Sequence, residues 1–329
     1  MSIQGIHHLF PRVWPWGWQS LTPGEGRDAG RSASHNGLVT RTLYVSDLDG
    51  TLLGPDARVS AFTRRTVNGL VADGELFALA TARSRHSVRK VTGGLRVTAP
   101  AVVYGGAFVV DLATGRNLVE RTLRPATVDA VLASFDALGL SPLVYAATPG
   151  GPTLDVSPGL DDTVSWVGGR ESDGIRWYLA DRGADPRFRP VGQAGDLPRV
   201  GAFSIVALGR RDDLEPAARI LRSQLDGDVS VSLQEETYLE GLFWLDISAA
   251  GSTKGMGVQT LADLTGADRI VCFGDNLNDL DMFEAADESY AVANAHPEVL
   301  AAATGIIGRN SEDGVARWLA ANVRLERTA

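Results

Sequence analysis

Cysteine is nearly missing from this chain: Cys272 is the only one in 329 residues, which excludes any disulfide within the chain. Lysine is almost as scarce. Of 31 basic residues only Lys90 and Lys254 are lysine, and arginine fills the rest, so a lysine at a structurally special place stands out. Long apolar runs are lacking too, and no stretch reaches the roughly 18 uncharged residues of a membrane span. There is no excess of positive charge. A formal net charge of -9 and a pI near 5.1 speak against nucleic acid or an anionic membrane as partner, since both reward a basic patch that releases counterions. Arg64, Arg65, Arg83, Arg85, Arg89 and Lys90 lie close in sequence and read mainly as a solvated helix face. Cys272 sits in the apolar run 269–273 and reads as a small buried hydrophobe, with a reducing, cytoplasmic setting as the expectation.

The hydrophobic share of 44% and charged share of 22% are those of a globular protein, and the length suits two compact units. Residues 1–40 differ in texture, with Trp14, Trp16, Trp18 and a His7-His8 pair but no sustained period. They read as a flexible leader, or as the product of a start codon assigned too early, and not as a secretory signal. From Thr42 onward short apolar runs alternate with helical spacing: strand 43–46, helix 59–73, strand 76–80, helix 84–92, then strands 102–104 and 107–110 about a Gly105-Gly106 turn. The alternation resumes after Gly251 with helix 253–264, strand 269–273, helix 278–285 and strand 289–292. The expected class is therefore α/β, a doubly wound, mainly parallel sheet built from residues 41–111 and 241–329, with an α/β lid inserted at 112–240. Residues 149–199, rich in Gly, Pro and Asp, are assigned to no element for most of their length.

Four segments carry candidate chemistry. Asp47-Leu-Asp49-Gly50-Thr51 follows a buried strand directly, where open parallel sheets bind ligands. There Asp47 can attack phosphorus and Asp49 can protonate a leaving oxygen; an Asp-rich turn is the plainer alternative. Gly274-Asp-Asn-Leu-Asn-Asp279 crowds carboxylates and amides at a second strand end. Magnesium bound by Asp47 and Asp275 fits that crowding, while a helix cap at Asn278 or Asp279 is the alternative. Thr81, after the strand ending at Ala80, can hold a phosphate oxygen at a helix start or simply cap the helix. Lys254, in Gly251-Ser-Thr-Lys-Gly255, stands at a helix N-terminus, a poor place for a cation unless it faces an anion; a solvated lysine is the alternative.

Taken in this order, the four segments resemble the motifs of the haloacid dehalogenase (HAD) phosphatase superfamily. The long insert, Gly274-Asp-Asn-Leu-Asn-Asp279 with Met282, and Val292-Ala-Asn-Ala295 with Pro297 resemble its Cof-like subgroup. The resemblance runs from Thr42 to about Asn322. It implies Asp47 as nucleophile and magnesium ligand, and Asp49 as acid/base lending the metal its backbone carbonyl. It further implies Thr81, Lys254 and Asn278 around the phosphoryl group, Asp275 on magnesium, and Asp279 behind them. Two departures stand out: Ala82 follows Thr81 where the family has Gly, and Gly105 stands where the subgroup has Asn. The expected activity is magnesium-dependent hydrolysis of a small phosphorylated metabolite, a sugar phosphate by default, with specificity near Trp166, Trp177 and Tyr178. A phosphomutase and a catalytically idle binding protein are the rivals, and a halide-releasing dehalogenase needs neither Asp49 nor the second acidic segment.

Overall fold

A computed structural model describes residues 40–147, 162–236 and 239–326, and the elements counted below are those of the described residues. The expected leader falls almost wholly outside them. The chain enters through β1 (Thr42–Ser46), turns, and continues through α1 (Ala61–Ala72), β2 (Leu76–Leu79) and α2 (Arg85–Val91). Every residue of β1 and β2 is buried, as strands covered on both faces require. Ser60 and Ser84 cap the two helices by accepting the N–H groups of Thr63 and Ser87. Three short strands follow, β3 (Ala101–Val103), β4 (Phe108–Val110) and β5 (Asn117–Glu120). They form a separate antiparallel sheet, not a continuation of the parallel series, because a short connection can only fold a strand back on its neighbour. A single bridge between Ala80 and Val102 ties this sheet to the first.

The inserted segment comprises α3 (Pro125–Ala137), β6 (Leu143–Ala147), β7 (Asp162–Val167), α4 (Asp173–Arg182), β8 (Phe188–Val191), β9 (Ala202–Gly209), α5 (Arg211–Gln224), β10 (Val229–Glu235) and β11 (Phe243–Ala249). Its six strands pair in the order β10-β11-β9-β6-β7-β8, all antiparallel except β7 with β8. Strand pairing moves two segments across the boundaries expected at 112 and 240. Residues 117–120 pair with β4, and residues 243–249 complete the six-stranded sheet. Arg121 and Leu123 mark the outgoing crossing: the Arg121 guanidinium binds the Gly106 carbonyl at 3.0 Å and the Leu123 N–H binds the Ala202 carbonyl at 2.7 Å.

The chain then returns through α6 (Lys254–Thr265), β12 (Arg269–Gly274), α7 (Leu280–Glu284), β13 (Glu288–Val292), α8 (Pro297–Ala302), β14 (Gly305–Ile307) and α9 (Gly314–Glu326). The first sheet is parallel throughout, in the order β14-β13-β12-β1-β2, with α1 packed on α9 and α6 on α7. Successive strands run outward to one side from β1 to β2, then return to the other side of β1 with β12 to β14. The strand order thus reverses between β1 and β12. A crevice at their carboxyl ends is the place where such sheets take ligands.

Two apolar layers hold the assembly. One joins the first sheet to the inner face of the second, including Tyr145, Phe203, Val206 and Leu208. The other lies between the second sheet and α3 and α5, where Val144, Ile205, Leu245 and Ile247 meet Val131, Phe135 and Leu221. Trp166 and Tyr178, expected at the specificity site, belong to packing. Trp166 sits edge-on to Phe188 at 5.5 Å with its N–H on Glu171, and Tyr178 bonds Tyr145 and packs on Trp244. No described helix is long and apolar enough to cross a membrane. Because Leu221 is fully buried in the second layer, Leu221→Ala is expected to cost about 2–5 kcal/mol in urea unfolding. An unchanged midpoint would contradict the layer.

Candidate active site

The register of the parallel sheet places Ser46 opposite Phe273, so β1 and β12 deliver Asp47 and Asp275 to one end. The Asp47 N–H extends the ladder to the Phe273 carbonyl at 2.9 Å. The chain then reverses through a type II turn with Asp49 at φ -75°, ψ 124° and Gly50 at φ 76°, ψ -9°. The second central position of that turn needs positive φ, and space demands glycine as well: a Cβ on Gly50 would lie 2.2 Å from an oxygen of Asp275. Thr51 closes the approach by donating to Asp275 Oδ1 at 2.7 Å, and Asn294 Nδ2 holds the Gly50 carbonyl at 2.8 Å.

Lys254 is the centre of this arrangement. Thr253 caps α6 by accepting the Met256 N–H, which starts the helix so that the lysine points back to the strand ends. Its Nζ lies 2.7 Å from Asp47 Oδ1, 2.6 Å from Asp279 Oδ1 and 3.3 Å from Asn278 Oδ1. Asp279 uses its other oxygen to accept the N–H groups of Asp275 and Asn276 at 2.9 and 3.0 Å. The cap of the turn at 277–279 is therefore Asn276, and Asp279 reaches back to it in a capping box. Lys254, Asp47 and Asp279 are respectively 2%, 5% and 0% exposed. A solvated lysine is excluded.

Burial sets the electrostatics. It pushes the Asp47 carboxyl up to about 8 against the opposing pull of Lys254, with Asp279 and Asp275 adding to the rise. The same cause raises Asp275 to about 6, against the hydrogen bond from Thr51. For Lys254 burial acts downward, but Asp279 and Asp47 outweigh it and hold the ammonium above its ordinary range. Three carboxylates face one ammonium, so the site carries an excess of buried negative charge.

Asp47, Asp275 and Asp279 each offer an oxygen within 4.8 Å of the others. Asp279 already spends both oxygens on Lys254 and the 275–276 amides, whereas Asp47 and Asp275 each keep one without a protein donor among the described residues. Two hard carboxylates with uncompensated charge are the donor set that suits magnesium.

Thr81 lies level with Asp47 on the neighbouring strand, since the Ala80 N–H binds the Ser46 carbonyl. It is 1% exposed, and its hydroxyl accepts the Arg83 N–H at 3.1 Å. Arg83, grouped by sequence with neighbours that read mainly as a solvated helix face, lies beside Asp49. Its guanidinium grips both oxygens of Asp49 at 2.6 Å each and donates to Ser87 at 2.7 Å. The available signal was its position two residues beyond Thr81 at the same sheet end, set aside among several nearby arginines. At Gly105 the backbone has φ 61° and a Cβ would meet nothing within 4 Å, whereas at its neighbour Gly106, with φ 114°, a Cβ would fall 2.2 Å from the Thr253 carbonyl oxygen. Two clefts elsewhere, of about 520 and 700 Å³, contain none of these residues; the first lies at the amino ends of the strands, around Arg41 and Pro100.

The sequence signature of the haloacid dehalogenase-like hydrolases matches residues 44–149 and 194–319. A 5-amino-6-(5-phospho-D-ribitylamino)uracil phosphatase of Bacillus subtilis, YitU, is 27% identical over 84% of this chain and 96% of its own. An HMP-PP phosphatase of Cronobacter sakazakii is 26% identical over 84% of this chain and 94% of its own. Among solved structures, a haloacid dehalogenase-like hydrolase of Bacteroides thetaiotaomicron superposes with a TM-score of 0.68 at 23% identity, covering 85% of this chain and 98% of that one. TM0651 of Thermotoga maritima gives 0.67 at 23%, covering 85% and 97%. At those identities the structural likeness is one of fold. A signature that spans well over half of the chain and begins at Tyr44, three residues ahead of Asp47, leaves one conclusion: this chain belongs to the haloacid dehalogenase-like hydrolases, in their Cof-like phosphatase group.

Proposed function

We propose that the chain hydrolyses a small phosphomonoester through a phosphoryl-aspartate on Asp47, with magnesium as cofactor. The observation that carries this reading is Lys254, buried between Asp47 and Asp279 at the reversal point of a parallel sheet. The names of the relatives, a phosphoribitylaminouracil phosphatase and an HMP-PP phosphatase, support a small phosphorylated metabolite as substrate.

In this reading Lys254 fixes the Asp47 carboxylate through one oxygen and leaves the other to attack phosphorus. As the new Asp47 O–P bond forms, the ester P–O bond breaks and Asp49 gives its proton to the departing oxygen. Asp49 then takes a proton from water, the water oxygen bonds to phosphorus, and the Asp47 O–P bond breaks to release phosphate. Thr81, Lys254 and Asn278 receive the phosphoryl oxygens, and Asp279 holds Lys254 in place. Arg83 holds Asp49 in a single orientation until the leaving group enters. Bound at Asp47, Asp275 and the Asp49 carbonyl, magnesium supplies the positive charge that the three carboxylates lack. The inserted layer acts as the lid that meets the rest of the substrate.

Asp47→Asn is expected to lower turnover by at least about 10³-fold, the loss that follows removal of a nucleophile. Retained turnover in a folded variant would remove Asp47 from the mechanism. Asp49→Asn is expected to retain a phosphorylated Asp47 after a pulse of 4-nitrophenyl phosphate, a leaving group that needs no proton. Intact-mass measurement without a phosphoryl adduct would contradict its place in the second step.

A third expectation concerns pH. With both carboxyls raised above the usual 3.8, the folded protein without metal holds protons that the unfolded chain has lost between about pH 4 and 8. Stability from this pair is thus present at low pH and is lost as pH rises through about 8. The melting temperature in chelator is expected to fall from about pH 6 to 8.5, less so in Asp47→Asn, and magnesium is expected to bind with proton release. Magnesium titrations in two buffers of different ionisation enthalpy measure that release; identical heats at pH 7 would count against Asp47 and Asp275 as ligands.

A further inference from the structure

The two faces of the second sheet differ in kind. Leu245, Ile247 and Ala249 of β11 point into the layer beneath α3 and α5. Strand alternation turns Trp244, Asp246 and Ser248 to the opposite face. Cross-strand register adds Ser232 opposite Asp246, and Ser230 and Ser204 opposite Ser248 on either side. All six are partly accessible. This face looks toward the catalytic half: on the same side Phe203 meets Tyr104 of the β3–β4 turn at 4.7 Å, and β11 runs on directly to Lys254.

We infer that this serine-lined face with Asp246 at its centre is the subsite for the leaving group, and that it takes a neutral, hydroxyl-rich chain such as a polyol or open sugar. The inference rests on the phosphatase reading above. Asp246 has one hydrogen bond among the described residues, from Ser204 Oγ at 2.8 Å, although burial has pushed its carboxyl up to about 6. A carboxylate accepts several donors and offers none, so its remaining lone pairs call for O–H or N–H groups of a ligand. Ser252, between this strip and Lys254, adds an independent sign: its hydroxyl is buried with no partner among the described residues.

Other ligand classes fit poorly. A second phosphate would meet Asp246 with no cation paired to it among the described residues, and the lid's Arg187 is already held between Asp162 and Asp185. A flat base finds the aromatic rings engaged with one another, Trp244 with Tyr178 and the Tyr145 hydroxyl with that of Tyr178.

The test compares ribitol 5-phosphate with pentyl phosphate, a chain of equal length without hydroxyls, with released phosphate as readout in magnesium buffer. Wild type is expected to favour the polyol by about 100-fold in kcat/KM, and Asp246→Asn, Asp246→Ala and Ser204→Ala to reduce that ratio by about tenfold or more, chiefly through KM. Melting temperatures establish that the variants are folded. A wild-type ratio near one, or a ratio unchanged in both folded Asp246 variants, would overturn the subsite. If neither ester nor 4-nitrophenyl phosphate is hydrolysed, the phosphatase reading fails instead. Calorimetric binding of the same two esters then decides the subsite by the same ratio.

Discussion

Lys254 Nζ lies within 2.7 Å of two carboxylates and is 2% exposed, so neither partner can turn to water for compensation. A charge placed this way is tolerable only while its geometry holds, because removing one member leaves the others buried and unpaired. The parallel register of β1 and β12 must bring Asp47 and Asp275 to the same sheet end. The type II turn must have glycine at its second central position, and α6 must start where Thr253 caps it. Asp279 must reach back to the 275–276 amides while still meeting the ammonium. The strand order, the turn and the helix start are all conditions for one ion cluster.

Much of this was legible in the sequence because it obeys local rules. Continuous apolar runs ending in Asp47 and in Gly274 mark strands buried on both faces, and the residues that follow them must lie at a sheet end. Lys254 announced itself by its rarity and by an electrostatically unfavourable position that only a nearby anion explains. Arg83 and Thr51 were less legible, because their roles arise from partners 34 and 224 residues away. Nothing in their own neighbourhoods separates an arginine that grips Asp49 from one that points into water.

The inserted segment was read least well, and its burial pattern explains why. Residues 243–249 alternate between buried and partly accessible positions, the signature of a strand with one face covered. Strands β1 and β2 of the first sheet are instead buried throughout. The change in pattern at Ala249, not the glycine and polar residues near 240, marks the return to the catalytic half. For β3 and β4 the apolar runs were recognised but their direction was not, since a run of buried residues is compatible with either sense of pairing.

The two halves answer different chemical demands. The phosphoryl group has fixed size and charge, and the residues proposed to receive it stand on strand ends and a helix start that cannot shift without breaking the Lys254 cluster. The leaving group varies among phosphoesters, and in the proposed reading it is met by the second sheet, where side chains can change without disturbing Asp47 or Asp275. Burial gives this division a cost. The burial that orders Asp47 also raises its carboxyl, against the opposing pull of Lys254. In the proposed reading a cation held by Asp47 and Asp275 would offset that effect of burial. On that reading, reactivity would be tied to cation binding at the strand ends, independently of which leaving group the lid accepts.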